Sequence, residues 1–207
     1  DLSDATMAKG VLALDAPKRM AARHHVLRGQ AWPVDLLRAA DREDLPASVD
    51  ESGSAIVYPF GRVIRPDMLL PYLMGDTQMV SGFEVASIDA GEDGLLIAAK
   101  DGRQRQADAV VLASGADLGQ MMALSGDLLP LEQSYGQVSH VPVAATSLSH
   151  ELSNGVSFGG YLTPALDGLR DLGATFTKQQ QDVQTGHEQN LGLLPEAWQS
   201  WMASPSR

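Results

Sequence analysis

The run of residues 107–116 (ADAVVLASGA) constrains the fold more than any other stretch of this sequence. Its centre, residues 110–113, is continuously apolar rather than alternating, which predicts a strand covered on both faces within a layered sheet. Ser114 and Gly115 follow, where a tight turn lets the backbone approach a ligand. Hairpin patterns precede this run, and the pattern of a second sheet follows it. We therefore expect the run to form the seam between two substructures.

The composition is that of an ordinary globular protein with one domain or two small ones. The chain has 207 residues, of which 44% are hydrophobic and 20% charged, and it has no cysteine. Without cysteine it has no disulfides, cysteine nucleophiles or thiolate metal sites, which fits a cytoplasmic protein. The net charge of -11 weighs against nucleic-acid contact over most of the surface. The sequence shows no membrane span and no signal-peptide pattern, so we expect no membrane partner.

The residue patterns predict an α+β fold with mostly antiparallel strands. Predicted strands cover residues 10–15, 54–58, 82–90, 95–100, 103–106 and 134–143, and a hairpin of 156–162 with 172–177. Predicted helices cover residues 18–27, 34–42, 67–74, 117–124 and 183–202, the last broken at Pro195. Short turns at 91–94 and 101–102 join the three strands of 82–106 into a meander.

The sequence contains no complete catalytic motif. It has no dinucleotide-binding G-x-G-x-x-G turn, P-loop, H-E-x-x-H or G-x-S-x-G pattern. His24 and His25 are adjacent and would point about 100° apart on a helix, so they make a poor metal pair. His140 lies among the valines of a predicted strand, which favours a hydrogen-bonded structural histidine over a general base.

Two short stretches combine small residues with an aromatic residue, residues 159–164 (GGYLTP) and 173–176 (GATF). Two glycines before an aromatic residue allow another backbone or a flat ligand to come close. The alternative is a β-bulge beside a packed tyrosine. In a hairpin the two stretches would lie opposite each other, and their aromatic rings could line a pocket for a planar group.

Four stretches, taken in order, resemble the D-amino-acid-oxidase-like FAD-dependent oxidoreductases, a family that includes glycine and sarcosine oxidases. They are residues 55–66 (AIVYPFGRVIRP), 109–117 (AVVLASGAD), 135–142 (YGQVSHVP) and 160–176 (GYLTPALDGLRDLGATF). The strings GQVSH and GYLTP resemble the branch of the family that modifies tRNA, whose oxidoreductase is one half of a bifunctional enzyme.

The resemblance implies an antiparallel-sheet substrate domain with an incomplete Rossmann-like FAD-binding part. Residues 1–79 would begin the substrate domain, 80–118 would be strands of the FAD-binding domain, and 119–207 would complete the substrate domain. The family oxidises a C–N bond of an amine or amino acid by hydride removal, and the imine then hydrolyses. In the tRNA branch, the amine is a carboxymethylaminomethyl group on the wobble uridine.

The resemblance also assigns roles to individual residues. Tyr161 matches a tyrosine that hydrogen-bonds the substrate carboxylate. The matched FAD contacts are Val85 at the adenine, the loop residues Ser114, Gly115 and Ala116, and Phe176 beside the flavin ring. Hydride transfer needs orientation rather than an acid–base pair, so no catalytic residue and no metal ligand is implied.

The resemblance is incomplete at both ends. The glycine-rich turn that holds the FAD pyrophosphate would precede residue 1, and the segment with a substrate-binding arginine would follow Arg207. We therefore expect an internal piece that binds FAD weakly or not at all, and that self-associates through open sheet edges. Three hypotheses stay open: a flavoenzyme acting on tRNA, a glycine- or sarcosine-oxidase-like enzyme acting on free amino acids, and a non-catalytic domain that has lost the cofactor site.

Overall fold

A computed structural model describes residues 3–15, 17–30, 32–45, 55–119, 131–145, 152–195 and 198. The chain divides into two compact units: a larger one of Asp1–Gly75 with Tyr135–Arg207, and a smaller one of Asp76–Ser134. The three-segment division implied by the family resemblance stays a prediction. Within the described ranges, the helices are too short or too polar to cross a membrane.

The described residues include ten strands and three α-helices with defined bounds. The strands are β1 Thr6–Ala13, β2 Arg38–Ala39, β3 Ile56–Ile64, β4 Val85–Gly91, β5 Gly94–Ala99, β6 Gln104–Ala107, β7 Val138–Pro142, β8 Gly155–Ser157, β9 Tyr161–Leu162 and β10 Leu169–Gly173. The helices are α1 Pro17–Gln30, α2 Pro66–Met74 and α3 Val183–Leu193. The mixture of helices and mainly antiparallel strands agrees with the predicted α+β class.

A seven-stranded sheet forms the larger unit, in the order β2-β3-β1-β8-β9-β10-β7. Strands β1 and β8 pair in parallel, and the other neighbours pair antiparallel. The main core lies against this sheet and is closed by residues of α3 and the segment after it; its members include Leu12, Val57, Val156, Leu162, Leu172, Leu194 and Trp198. The sheet has a second, open side at β9, β10 and β7, where polar side chains alternate with the buried ones.

Proline and glycine set the limits of α2 as the sequence predicts. Pro66 occupies the first turn, where its missing amide hydrogen costs nothing, and Gly75 ends the helix with a positive φ of 51°. Pro71 lies inside the helix. The predicted break at Pro195 is also confirmed, because α3 ends at Leu193 and Trp198, beyond the proline, is helical again. Residues 196–197 and 199–202 of this prediction lie outside the described residues.

The predicted helix at 34–42 is wrong. Residues 34–36 form a turn, and β2 then pairs with β3. The Ala40 amide donates to the Ala55 carbonyl at 2.8 Å, and Arg38 forms a bidentate bond with Asp44 at 2.6 and 2.8 Å. Pairing with a distant strand and a local ion pair therefore replace a helix whose intrinsic preference is small.

The smaller unit contains the predicted meander, a three-stranded antiparallel sheet in the order β4-β5-β6. Tight turns join its strands. At Gly94 the φ angle is 124°, and a Cβ there would lie 2.8 Å from the Ala107 carbonyl oxygen, so only glycine fits. The turn between β5 and β6 contains Gly102, whose φ is 88°. The strong turn signals of the sequence therefore determine this part of the fold.

The predicted strand at 110–113 is wrong. Strand β6 ends at Ala107, residues 108–114 belong to no strand, and the Val111 side chain is 88% exposed. A strand covered on both faces requires neighbours on both sides, and β6 is the edge of the meander in the described part of the chain. A short 3-10 helix, Gly115–Asp117, leads into α-helical residues 118–119, which agrees with the start of the helix predicted at 117–124. Residues 120–130 lie outside the described ranges.

Candidate functional site

The open side of the β9–β10–β7 segment carries the candidate site of the larger unit. Alternate residues of β7 and β10 point to opposite sides, so Ser139, Val141, Arg170 and Leu172 are buried while their neighbours face outwards. On the open side, the cross-strand row Tyr161–Gly173–Val138 lies beside the pair Asp171–His140. Residues from three strands therefore meet on one face.

Tyr161 lies across Gly173, which has no side chain to displace it. A Cβ on Gly173 would lie 3.1 Å from the Tyr161 hydroxyl oxygen and 3.2 Å from a Val138 methyl carbon. Tyr161 is 37% exposed, and its hydroxyl has no hydrogen-bond partner among the described residues. This arrangement confirms that the two small-then-aromatic stretches lie opposite each other, and it leaves a phenol available to a ligand.

Partial burial raises the pKa of the Tyr161 phenol, and the negative charge of Asp171 raises it further. Both effects disfavour the phenolate. At neutral pH, Tyr161 is therefore a neutral hydroxyl that can donate a hydrogen bond to an anionic ligand group.

His140 and Asp171 form the second polar element of the open side. They are directly opposed across β7 and β10, and the imidazole Nδ1 lies 2.6 Å from an Asp171 carboxylate oxygen. Their side chains are 68% and 45% exposed. Thr163 fixes the backbone of Asp171, because the Asp171 amide donates to the Thr163 hydroxyl at 2.9 Å and the Thr163 amide donates to the Asp171 carbonyl at 3.0 Å.

A buried polar layer fastens α3 to the other side of β7. Asn190 is completely buried, and its amide nitrogen donates to the Gln137 carbonyl at 3.0 Å and to the Ser139 hydroxyl at 3.1 Å. His187 approaches the same hydroxyl at 2.8 Å. The Gln137 side-chain amide donates to the Gln181 carbonyl at 3.0 Å. These bonds hold the strand whose outward residues include His140.

Phe176 lies beyond the end of β10 and is 80% exposed. The neighbouring Thr175 is buried, its hydroxyl accepts from the Gln137 amide at 3.0 Å, and its own amide donates to the Gln137 carbonyl at 3.2 Å. A Cβ on Gly136 would lie 2.9 Å from the Thr175 carbonyl oxygen, so this close approach needs glycine. The anchored backbone on both sides presents the Phe176 ring outwards.

The other residues matched to FAD contacts belong to the smaller unit. Val85 begins β4, is half-buried and pairs with Ala99. Ser114, Gly115 and Ala116 are exposed at the start of the 3-10 helix, where Gly115 has a φ of 59°. The structure therefore groups Tyr161 and Phe176 in one unit, and groups these four residues in the other.

The sequence patterns missed the His140–Asp171 pair. His140 is hydrogen-bonded, as expected of a structural histidine, but it is exposed. Strand alternation predicts that the His140 side chain points away from the side that Ser139 and Val141 occupy. That Asp171 is its partner depends on the register between β7 and β10, which are far apart along the chain. Of the two neighbouring histidines of α1, His24 lies 3.3 Å from the Ala55 carbonyl oxygen. Among the described residues, no three acidic or histidine side chains are grouped to bind a metal.

Two solved structures share the fold of this chain. One is the iminodiacetate oxidase of a Chelativorans species, with a TM-score of 0.64 and 21% identity. The other is the glycine oxidase of Bacillus cereus, with a TM-score of 0.65 and 18% identity. In each case the match covers 91% of this chain and 56% of the solved chain. At these identities the likeness concerns the fold.

Curated relatives include the tRNA 5-methylaminomethyl-2-thiouridine biosynthesis bifunctional proteins of two bacteria. The protein of Chromohalobacter salexigens is 34% identical over 191 residues, which are 89% of this chain and 26% of the relative. The protein of Aeromonas salmonicida is 36% identical over 180 residues, which are 83% of this chain and 26% of the relative. The chain thus spans about a quarter of the length of these relatives. The sequence model of a family described as FAD dependent oxidoreductase matches residues 6–202.

Proposed function

Because the chain belongs to the FAD dependent oxidoreductase family, we propose that it forms part of a flavoenzyme that oxidises the C–N bond of a secondary amine or an amino acid. The family resemblance expected from the sequence motifs is confirmed. The reaction is proposed for the flavin-loaded protein, since the chain spans only about a quarter of the curated relatives.

The Tyr161 phenol is the observation that carries this proposal. It lies over Gly173 on the open side, with no hydrogen-bond partner among the described residues, and its raised pKa keeps it protonated. A neutral phenol donates a hydrogen bond to a carboxylate. We propose that Tyr161 binds the carboxylate of the substrate, which orients the adjacent C–N bond.

The residues proposed to contact FAD fit that cofactor by type. The exposed ring of Phe176 offers an apolar surface to the flavin, and the Ser114–Gly115 turn is open enough for close backbone approach. Val85, at the start of β4, is proposed beside the adenine. Bound FAD supplies the hydride acceptor, while this chain supplies substrate orientation. Its sequence has no G-x-G-x-x-G turn, so none of these residues is proposed to hold the diphosphate.

We propose the carboxymethylaminomethyl group of wobble uridine in tRNA as the substrate. Support comes from the identity to the tRNA-modifying relatives and from the GQVSH and GYLTP strings. This group contains both a secondary amine and a carboxylate, as the Tyr161 site requires. The second candidate is a free small amino acid such as glycine or sarcosine, which the net charge of -11 favours because RNA binding prefers basic surfaces.

Anaerobic reduction of the flavin-loaded protein distinguishes these candidates. Flavin bleaching is followed after adding tRNA that carries carboxymethylaminomethyluridine, unmodified tRNA, glycine or sarcosine. Bleaching by the modified tRNA alone supports the first proposal, and bleaching by glycine or sarcosine supports the second. If none of them reduces the flavin, amine oxidation is contradicted and a non-catalytic domain is favoured.

The Tyr161→Phe variant tests the residue that carries the proposal. Loss of one hydrogen bond to a charged group is expected to lower kcat/KM about 10- to 100-fold. Tyr58→Phe is a matched control, because Tyr58 in β3 is also 37% exposed. Equal activity of both variants would contradict carboxylate binding by Tyr161.

FAD binding by the chain alone tests the cofactor assignment separately. We expect weak binding or none, because a diphosphate-binding turn is missing from this sequence. The chain is mixed with FAD, passed through a desalting column and scanned for flavin absorbance. Near-stoichiometric flavin retained after the column would contradict this expectation.

A further inference from the structure

The tautomer of His140 follows from its contact with Asp171. The imidazole Nδ1 lies 2.6 Å from the Asp171 carboxylate oxygen. An ionised carboxylate can only accept hydrogen bonds, so Nδ1 carries the hydrogen and Nε2 of the neutral ring keeps its lone pair. Nε2 has no hydrogen-bond partner among the described residues, and the side chain is 68% exposed. The pair therefore presents an oriented and available base on the open side of the sheet.

This base lies close to the Tyr161 phenol. Asp171 precedes Gly173 by two residues on β10, and same-face residues of a strand are spaced about 7 Å apart. His140 is directly opposite Asp171, and Tyr161 lies across Gly173. With one hydrogen bond of about 3 Å at each end, a small amino-acid group can reach the phenol with its carboxylate and the imidazole with its amine.

Few titratable or charged side chains of the described residues surround His140. On the open side, the titratable neighbours among the described residues are Asp171 of β10 and Tyr161 of β9. The same-face residues of β7 itself are Val138 and Pro142. The charged Arg170 of β10 is buried on the other side, where it donates to the Thr163 carbonyl. The helix α3 also packs on that other side, through the contact of His187 with Ser139.

Oxidation of an amine by hydride removal requires a neutral nitrogen. The nitrogen lone pair forms the C=N bond as the hydride leaves the neighbouring carbon, and an ammonium group has no lone pair. Alkyl ammonium groups have pKa values of about 10, so nearly all of the amine is protonated at neutral pH. An enzyme of this kind therefore gains from a base that removes this proton in the bound complex.

Resting on the amine oxidation proposed above, we propose that His140, oriented by Asp171, accepts the proton that the substrate ammonium loses before its C–N bond is oxidised. The N–H bond of the ammonium breaks, an Nε2–H bond forms, and the amine keeps the electron pair. The resulting imidazolium faces the Asp171 carboxylate, which stabilises its charge, and it later returns the proton to water. His140 would thus be a catalytic residue, and Asp171 its positioning residue.

The test follows flavin reduction against pH in the flavin-loaded protein, using the amine that reduces the wild type. His140→Gln is expected to slow reduction about 100-fold at pH 7, and Asp171→Asn to have a smaller effect in the same direction. Both deficits should shrink above about pH 10, where the amine is already neutral in solution. His25→Gln, which changes an exposed histidine of α1, is the matched control and should follow the wild type.

A second measurement does not depend on turnover. The reduced-flavin protein binds the amine without oxidising it, so the NMR signals of the His140 ring should report protonation when the amine is added. Trimethylglycine, whose nitrogen has no proton, should leave the ring neutral. An unchanged ring with the amine, or a deficit of His140→Gln that is equal at every pH, would overturn the inference while leaving amine oxidation intact. Failure of the wild type to react with any amine would overturn the proposed function itself.

Discussion

Two glycines of α3 should respond in opposite directions to the same substitution. A Cβ on Gly186 would overlap the Gln137 side-chain amide, whose carbon would lie 2.5 Å away, whereas a Cβ on Gly192 would meet nothing within 4 Å. Replacing a helical glycine by alanine stabilises an open site by about 0.5–1 kcal/mol. We therefore expect Gly192→Ala to raise the free energy of unfolding by roughly that amount.

Gly186→Ala should instead lower the free energy of unfolding. The Gln137 amide is the end of a flexible side chain and can move, but it then loses its bonds to the Gln181 and Asp182 carbonyls, at 3.0 and 3.3 Å. At about 0.5–1.5 kcal/mol for each bond, and with the Gln181 carbonyl losing this partner, the loss exceeds the gain in helix propensity. The expected net destabilisation is about 1–2 kcal/mol.

Urea unfolding followed by circular dichroism measures both effects, and a double-mutant cycle isolates the contact. In a Gln137→Ala background, the obstacle is removed, so Gly186→Ala should become stabilising. The expected coupling between the two positions is about 1.5–3 kcal/mol. If Gly186→Ala is as stable as Gly192→Ala in the wild-type background, the proposed packing of Gln137 against α3 is wrong.

Three further substitutions test the site, an ion pair and the core. Gly173→Ala should push the Tyr161 phenol aside by a few tenths of an ångström, since a Cβ would lie 3.1 Å from its oxygen, and should raise KM in the flavin reduction assay with little loss of stability. Asp44→Asn should lower the free energy of unfolding by about 1 kcal/mol at pH 7. The hydrogen bond from Arg38 lowers the pKa of Asp44, so the stabilisation by this ion pair is complete above the ordinary pKa of 3.8 and is lost as the pH falls through the lowered value. Urea unfolding of the wild type and the variant should therefore give equal stabilities at that low pH. Leu172→Ala should lower the free energy of unfolding by about 2–5 kcal/mol, because this side chain is completely buried; a smaller loss in urea unfolding would contradict its place in the core.

Local chemistry determined the elements that could be predicted from the sequence. Pro66 and Gly75 mark α2, and the turns at Gly94 and Gly102 define the meander of the smaller unit. The prediction that the GGYLTP and GATF stretches pair also succeeded, because a turn at 167–168 brings them together. In each case, the residues that specify the structure are near one another along the chain.

The wrong and missed predictions all concern residues whose structure depends on segments far away along the chain. Residues 110–113 have the composition of a covered strand, but apolar residues form such a strand only where neighbouring strands are present. Within residues 34–42, where a helix was predicted, residues 38–39 pair with β3 instead. The pairing of His140 with Asp171 required a register that no local pattern encodes. The assignments of Val85, Ser114, Gly115, Ala116, Phe176 and Tyr161, and the expected self-association, stay predictions.

The parallel pairing of β1 with β8 has a consequence for how the protein folds during synthesis. Strand β1 ends at Ala13, and its partner begins at Gly155. At roughly 5–20 residues per second, the ribosome needs about 7–30 s to deliver that partner. In the meantime, β1 has only the antiparallel neighbour β3 on one side, while the meander of the smaller unit is continuous in sequence and can form first. The nascent chain therefore carries an open sheet edge for many seconds, during which chaperone binding would protect it from misassembly.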